Sequence, residues 1–453
     1  MRVLDCNNFW SPTGGGVRRY HLQKLEYFKA REDVQYIFLM QDKYTETEVL
    51  NDHTLIEHVK AFKVPGNWEY RILCDWRVIR EMIIKHQPDV VEVGSPYVMP
   101  GLVLKAIDEI QEEIRLEKGT LPEGFVVPRV VGFWHADFPV TYVYRFFRKF
   151  GEGCGRFFEK LAWAFARRQY GWMDGIYVSS KVITERMNSK GLKHTFFVPL
   201  GVDADHFHPS QSSEKVRSQL LQVNSDQDRR SFFFPHRFSQ EKGLRDLVEA
   251  YRQLSDAEAS ENDKLPRLVF AGTGPDLEMV ESLVEDLKLC EYLGFIESKE
   301  EMAQWYASCE LGLALSGWET FGLSILEAMA AGQVLIGANT GAASEHILNS
   351  GSDFLIPTDD VEALKGAILR LASLSDEDLA VMSQAARDYA EKLTWNHCFD
   401  LEVIYYKEVC DKNNGKKLNV TLQGSTQTIP IIDPEGGAPQ ASSRYLKGDK
   451  YDS

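Results

Sequence analysis

Short apolar runs, each followed by a helical pattern, recur along the first half of the chain and then recur again along the second. In the first half they fall at 2–6, 34–40, 89–93, 126–134 and 175–179, with a helical stretch at 17–29 after the first run. In the second half they fall at 232–236, 267–271, 292–295, 311–316 and 333–338, with helical stretches such as 244–254 and 277–289 between them. A run that stays apolar through successive positions is buried on both faces. Helices between such runs carry the chain back to the same edge, so each half is expected to form a parallel, doubly wound sheet. At 453 residues the chain exceeds a single core and divides into two domains. The fold class is therefore α/β, with two doubly wound, Rossmann-like domains. Val198-Pro-Leu-Gly-Val-Asp203 reads as a strand end entering a turn, and the hinge is expected near residue 200. Ligand crevices in such sheets lie at the carboxyl ends of the strands, so two facing domains share one cleft.

The remaining segments bound the setting. Residues 255–266 are polar and acidic and read as a surface loop, whereas a helical pattern runs from Trp395 to about residue 412. From 413 to 453 the chain is rich in Asn, Gly, Ser, Pro and Thr with little periodicity, and a mobile tail is expected. A formal net charge of −16 argues against wholesale binding to nucleic acid. Seven cysteines without a Cys-x-x-Cys pair read as thiols in a reducing compartment. The first residues lack the apolar stretch of a signal peptide, and no apolar run approaches the length of a membrane span. A cytoplasmic location is expected, with peripheral contact at the inner face of a membrane left open.

The chemistry concentrates in residues 317–332, Gly-Trp-Glu-Thr-Phe-Gly-Leu-Ser-Ile-Leu-Glu-Ala-Met-Ala-Ala-Gly. Glu319 sits in a loop and Glu327 one turn inside a short helix, with a glycine at the helix start where free N–H groups can meet an anion. Two acceptors flanking an anion site suit a ligand with hydroxyls at both ends and phosphate between them. A core-packing helix with Leu323, Leu326 and Ala330 at helical spacing is the competing reading. Ahead of the first helix, Gly14–Gly16 form a loop that lets backbone approach a phosphate. It is not a dinucleotide fingerprint, because Arg19 stands where the third glycine is required. In Pro235-His-Arg-Phe-Ser-Gln-Glu-Lys-Gly243, Arg237 and Lys242 can converge on one diphosphate, the first as a planar fork and the second as a point charge. A retaining glycosidase holds its carboxylate pair about 5–5.5 Å apart. Eight residues of helix span about 12 Å, so Glu319 and Glu327 suit the two ends of a ligand better than one bond. Asp203-Ala-Asp205 and Asp226-Gln-Asp228 match the Asp-x-Asp of metal-dependent transferases but lie in a turn and a polar stretch, and no metal is expected.

Taken in order, these residues resemble the family-four retaining glycosyltransferases of the GT-B fold. The resemblance is carried by Gly14–Gly16, by Val198 to Asp203 with Phe207, and by Arg237 with Lys242-Gly243. Ala271-Gly-Thr-Gly-Pro275, Gly294 and the Glu319-x7-Glu327 signature followed by Ala-Met-Ala-Ala-Gly332 complete it. The chain departs from the pattern at Pro235-His236, where a glycine usually precedes the arginine. The resemblance implies that residues 1–200 form the acceptor-side domain, 201–395 the nucleotide-sugar domain, and 396–412 a helix crossing back to the first. It implies that Glu327 accepts from the ribose, that Glu319 accepts from the donor sugar, and that the backbone of Phe321, Gly322 and Leu323 faces sugar and phosphates. Arg237 and Lys242 would neutralise the leaving diphosphate, with Gly15 and Gly16 closing on it from the other domain. His135, just past a strand, matches the histidine that contacts the transferred sugar, and Asp137 and Arg145 are acceptor-side candidates.

The expected activity is retaining transfer of a hexose from a nucleotide diphosphate sugar to an acceptor hydroxyl, with the donor as substrate and no cofactor. From 142 to 172 the chain is dense in aromatics and in arginine and lysine, which suits an anionic membrane surface or a lipid acceptor. A core helix with solvated arginines would give the same composition. A soluble sugar or polysaccharide acceptor, a GT-B sugar-nucleotide epimerase and a silent nucleotide-sugar-binding protein are the alternatives.

Overall fold

The computed structural model describes residues 1–411 except 9, 11–14, 65–66, 95, 223–228 and 259–264, with side chains of 67–69, 221–222 and 257–258 also outside the description. Gly14, Asp226-Gln-Asp228 and the 413–453 tail fall outside the described residues. In sequence order the first half carries β1 (Arg2–Cys6), β2 (Gln35–Asp42), β3 (Glu46–Asn51), β4 (Thr54–Lys60), β5 (Phe62–Val64), β6 (Asn67–Ile72), β7 (Val90–Val93), β8 (Arg129–Phe133), β9 (Gly175–Val178) and β10 (Thr195–Phe197). Eight of them form one sheet in the order β10-β9-β8-β7-β1-β2-β4-β3, parallel except for the edge strand β3, while β5 and β6 pair separately as an antiparallel hairpin. The second half carries β11 (Ser231–Pro235), β12 (Arg267–Ala271), β13 (Cys290–Tyr292), β14 (Leu311–Ala314), β15 (Val334–Ala338) and β16 (Leu355–Ile356). Their order, β13-β12-β11-β14-β15-β16, is the doubly wound order of dinucleotide-binding domains, which reverses between β11 and β14. In the first sheet the reversal lies between β1 and β7.

The apolar runs explain themselves in this architecture. Alternate residues of one strand enter different cores. In β2, Ile37 and Leu39 pack with one face's helices, and Tyr36, Phe38 and Met40 with the other's. In β11, Phe232 and Phe234 face one core and Phe233 the opposite one. Burying one such side chain on either face contributes about 1.5–3 kcal/mol, so neither face tolerates a polar alternation.

Three boundaries differ from the sequence reading. The run at 126–134 narrows to β8, because Pro128 offers no N–H to a ladder and Val126 is exposed. The run at 292–295 moves back to β13, and the chain turns away at Gly294, whose φ is +78°. Most of the expected loop at 255–266 is either helix (Leu244–Glu258) or outside the described residues. Beyond the second sheet, the helix Trp395–Asp411 lies against the first: Tyr27 and Arg31 bond Asp400, and Phe196 stacks on Tyr405 at 4.4 Å. Strand-like pairing of Val202 with Thr394 sets the two connecting segments side by side. Among the described residues no helix is long and apolar enough to cross a membrane.

Candidate active site

The expected donor residues gather where the second sheet's strand order reverses. The loop after β11 carries Arg237 and Lys242, and the loop after β14 carries Glu319. Two glycines let the first loop sit down. A Cβ at Gly272 would lie 2.1 Å from His236 O, and one at Gly274 2.2 Å from Phe238 O, so Gly-Thr-Gly serves close backbone packing. Phe238 N donates to Thr273 O at 3.0 Å, and His236 Nε2 donates to Leu313 O at 3.3 Å. His236, the departure from the family pattern, therefore ties its own loop to β14. Burial pushes its pKa down to about 4, so it serves as a neutral donor. Arg237 is exposed, with no ion-pair partner among the described residues.

Lys242 forms an ion pair with Glu319. Burial would raise the Glu319 carboxyl, but the ammonium beside it wins and holds the group below its ordinary value of 4.5. Gly322 has φ +85°, the left-handed conformation, and caps the start of the helix Leu323–Ala330. His346 Nε2 donates to Phe321 O at 2.7 Å, fixing the peptide before that start. Glu327, 6% exposed, sits one turn in.

The first domain closes on this helix. Gly15 precedes the helix Gly16–Lys29, and a Cβ at Gly16 would lie 3.3 Å from Leu323 Cδ1. Arg19, in the first turn, forms an ion pair with Glu327 across the cleft. Two further contacts span it: Arg145 to Glu241 at 3.3 Å, and Glu345 accepting from Ser180 Oγ at 2.7 Å and Lys181 N at 2.9 Å. His135 follows β8, stacks on Phe133 at 4.1 Å and meets the Tyr20 ring edge-on at 5.1 Å. Burial, aided by His21, holds its imidazole well below its ordinary pKa, and its buried Nε2 has no hydrogen-bond partner in the protein. A Cβ at Gly94 would reach that nitrogen at 3.2 Å, so the missing side chain leaves it a small space. A neutral ring with one uncommitted nitrogen can bond a sugar hydroxyl.

The structure therefore brings together Gly16, Leu323, Glu327 and Arg19 at one point, and Lys242 with Glu319 beside it. It sets Asp137 apart: 2% exposed, this carboxylate pairs with Arg186, and its backbone oxygen accepts from Thr141 N at 2.8 Å. That pair buttresses the His135 loop and leaves Asp137 without a surface to offer an acceptor. Asp203 accepts from His206 N at 3.0 Å, closing a turn. Arg19, Glu241, Glu345 and His346 have partners on distant segments, so no local spacing announces them.

Residues 217–389 match the family model for group 1 glycosyl transferases. Over 410 residues the chain is 27% identical to the GDP-mannose-dependent alpha-(1-6)-phosphatidylinositol dimannoside mannosyltransferase of Mycobacterium tuberculosis, covering 87% of this chain and 93% of that protein. It is 23% identical to a GDP-mannose-dependent alpha-mannosyltransferase of Corynebacterium glutamicum, covering 90% and 89%. Among solved structures, a glycosyltransferase from Rickettsia africae superposes with a TM-score of 0.62 at 17% identity, over 90% of this chain and 98% of that one. The matched region contains Arg237, Lys242, Glu319 and Glu327; residues 217–389 thus match the group 1 glycosyl transferases, and the whole chain has the GT-B fold of its structural neighbours.

Proposed function

We propose that the protein transfers a mannosyl residue from GDP-mannose to a hydroxyl of a lipid-linked acceptor, with retention of configuration and without a metal, at the cytoplasmic face of a membrane. The observation that carries this reading is the pairing of Glu319 with Lys242 and Glu327 with Arg19 around the helix start at Gly322. The carboxylates suit hydroxyls of sugar and ribose. Lys242, Arg237 and the N–H groups beyond Gly322 suit the departing diphosphate, stabilising it as its charge develops. Positioning of the acceptor hydroxyl at the anomeric carbon supplies the rest of the rate. His135 Nε2 would take a hydroxyl of the transferred sugar. The choice of GDP-mannose and of a lipid acceptor draws on the two mannosyltransferase relatives, one of them acting on a phosphatidylinositol dimannoside.

The fold adds support for a membrane surface. The helix Glu152–Tyr170 packs near its end beside the start of the helix Met99–Arg115, where a Cβ on Gly101 would lie 3.7 Å from Gln169. Its earlier turns thus extend past the sheet's carboxyl edge, on the side of the cleft. Phe157, Leu161 and Phe165 form an exposed stripe there, 60%, 50% and 40% accessible, with Phe146 and Phe150 exposed nearby. Arg156, Lys160 and Arg168 flank it and are exposed.

Mass spectrometry after incubation with GDP-mannose, vesicles of phosphatidylinositol and phosphatidylcholine, and a panel of soluble sugars tests the reaction. Addition of one hexose to the inositol lipid is expected. Transfer only to a soluble sugar would overturn the lipid acceptor, and interconversion of donor with no transfer would overturn the transferase reading.

A further inference from the structure

We infer that Arg19 is a donor-binding cation with two alternative anionic partners, the Glu327 carboxylate seen here and the donor diphosphate once the ribose has taken Glu327. The inference rests on the assignment of Glu327 to the ribose. Arg19 lies in the first turn of the helix Gly16–Lys29, and its N–H bonds Gly15 O at 3.2 Å. Its side chain starts one turn from Gly16, where an added Cβ would lie 3.3 Å from Leu323 Cδ1, and reaches Glu327 one turn beyond the Gly322–Leu323 helix start. A diphosphate on that helix start would lie along the path of the guanidinium.

The energetics favour an exchange over a fixed strut. Glu327 is buried, and a buried carboxylate without a partner is strongly unfavourable; Arg19 meets that need. Ribose hydroxyls donating to Glu327 would meet it equally, and would then leave the half-exposed Arg19 guanidinium, 40% accessible, without its anion inside the cleft. A diphosphate is the anion that arrives with the ribose, and its oxygens match the planar fork of an arginine. The opposite wall repeats the arrangement, with Lys242 docked on Glu319. Each carboxylate suited to a donor hydroxyl thus carries a cation suited to donor phosphate, and the incoming ligand satisfies both sets. Because Arg19 belongs to the first domain and Glu327 to the second, its exchange also couples donor phosphate to the apposition of the two walls.

Calorimetry with guanosine and with GDP separates the two roles. In Arg19→Gln, GDP affinity should fall about ten- to hundredfold, the loss of one charge-assisted contact. Guanosine affinity should hold or rise, because Glu327 is released to the ribose, and this also shows that the variant's site is folded. Arg19→Lys should recover part of the GDP preference. Equal losses for guanosine and GDP in Arg19→Gln, or no loss for either, would make Arg19 a strut and overturn the inference while leaving the donor site intact. Failure of the unaltered enzyme to bind GDP would overturn the donor assignment and this inference with it.

Discussion

Lys242 biases the charge state of Glu319, and that bias can be read in pH. The carboxyl is held below its ordinary 4.5, so the pair's contribution is present above that value and is lost as pH falls through the depressed one. Lys242→Met leaves burial unopposed at Glu319 and should move the acid limb of the kcat/KM profile upward. Turnover should fall about 10²–10³-fold, as when an oxyanion donor is removed. An acid limb in the same place would show that Lys242 does not govern Glu319. At Gly322, substitution by Ala forces a left-handed conformation on a residue with a Cβ, at about 1–2 kcal/mol, and sets that Cβ 2.6 Å from Ile325 Cδ1. Urea denaturation should register the loss, together with weaker GDP binding. Unchanged values for both would mean that the helix start is not held as described. Glu319, Gly322 and Glu327 stood out together because one short stretch carries both carboxylates and the glycine between them, whereas Lys242 had to be found in a separate loop. Arg19 was visible only as the side chain that breaks a dinucleotide fingerprint, since its partner lies in the other domain and no spacing within the loop points to it.

Among the elements, the helix Glu152–Tyr170 makes the strongest separate demand. Its inward positions Ala162, Trp163, Ala166 and Tyr170 pack, with Trp163 stacked on Trp134 at 5.8 Å, while the stripe Phe157, Leu161 and Phe165 faces out. Burial of each stripe residue in a bilayer interface would contribute about 1.5–3 kcal/mol, and each adjacent basic residue about 1 kcal/mol at an anionic surface. Their sum is enough for peripheral attachment. The triple substitution Phe157→Ser, Leu161→Ser, Phe165→Ser should abolish co-flotation with phosphatidylserine-containing vesicles and leave the thermal midpoint in place, because exposed positions shift stability by about 0.5 kcal/mol or less. Flotation undiminished in the variant would remove this helix as the membrane contact. Composition alone announced aromatic and basic residues here, but the face each one takes depends on where Trp134 and the neighbouring helix stand. The hairpins β3–β4 and β5–β6 escaped the sequence reading for a related reason. Charged residues, Glu46 and Glu48 on the edge strand β3 and Glu57 and Lys60 on its inner neighbour β4, interrupt the apolar run that marks a central strand.

At the scale of the whole molecule, one buried cluster joins the last helix to the first sheet beneath the cleft. Lys24, fully buried, contacts Glu92 at 2.7 Å, Glu402 at 2.9 Å and Asp5 at 3.3 Å. Tyr20 donates to Glu402 at 2.7 Å and packs its ring against His135, and Tyr406 donates to Glu92. None of this was legible, because it assembles residues from β1, β7, the first helix and the last. The cluster holds three carboxylates against one lysine, so ionising all three together is unfavourable. Burial, only partly offset by Lys24, raises Glu402 to about 7 and pushes Glu92 up as well. Between 4.5 and about 7 the folded chain retains a proton that the unfolded chain has released, so stability must fall as pH rises through that window. Glu402→Gln keeps an acceptor for Tyr20 and Lys24 but cannot titrate. Its thermal midpoint should decline less steeply across the window, and above it the variant should stand closer to the unaltered enzyme or exceed it. Parallel slopes for the two proteins would place the pH dependence elsewhere, in groups such as Glu310 or Asp137, whose carboxyls burial also raises. Because Tyr20 touches both Glu402 and His135, the same titration should appear in the pH profile of kcat. Phe at position 20 keeps the ring against His135 and breaks the bond to Glu402, so Tyr20→Phe should shift that profile and leave the GDP affinity unchanged.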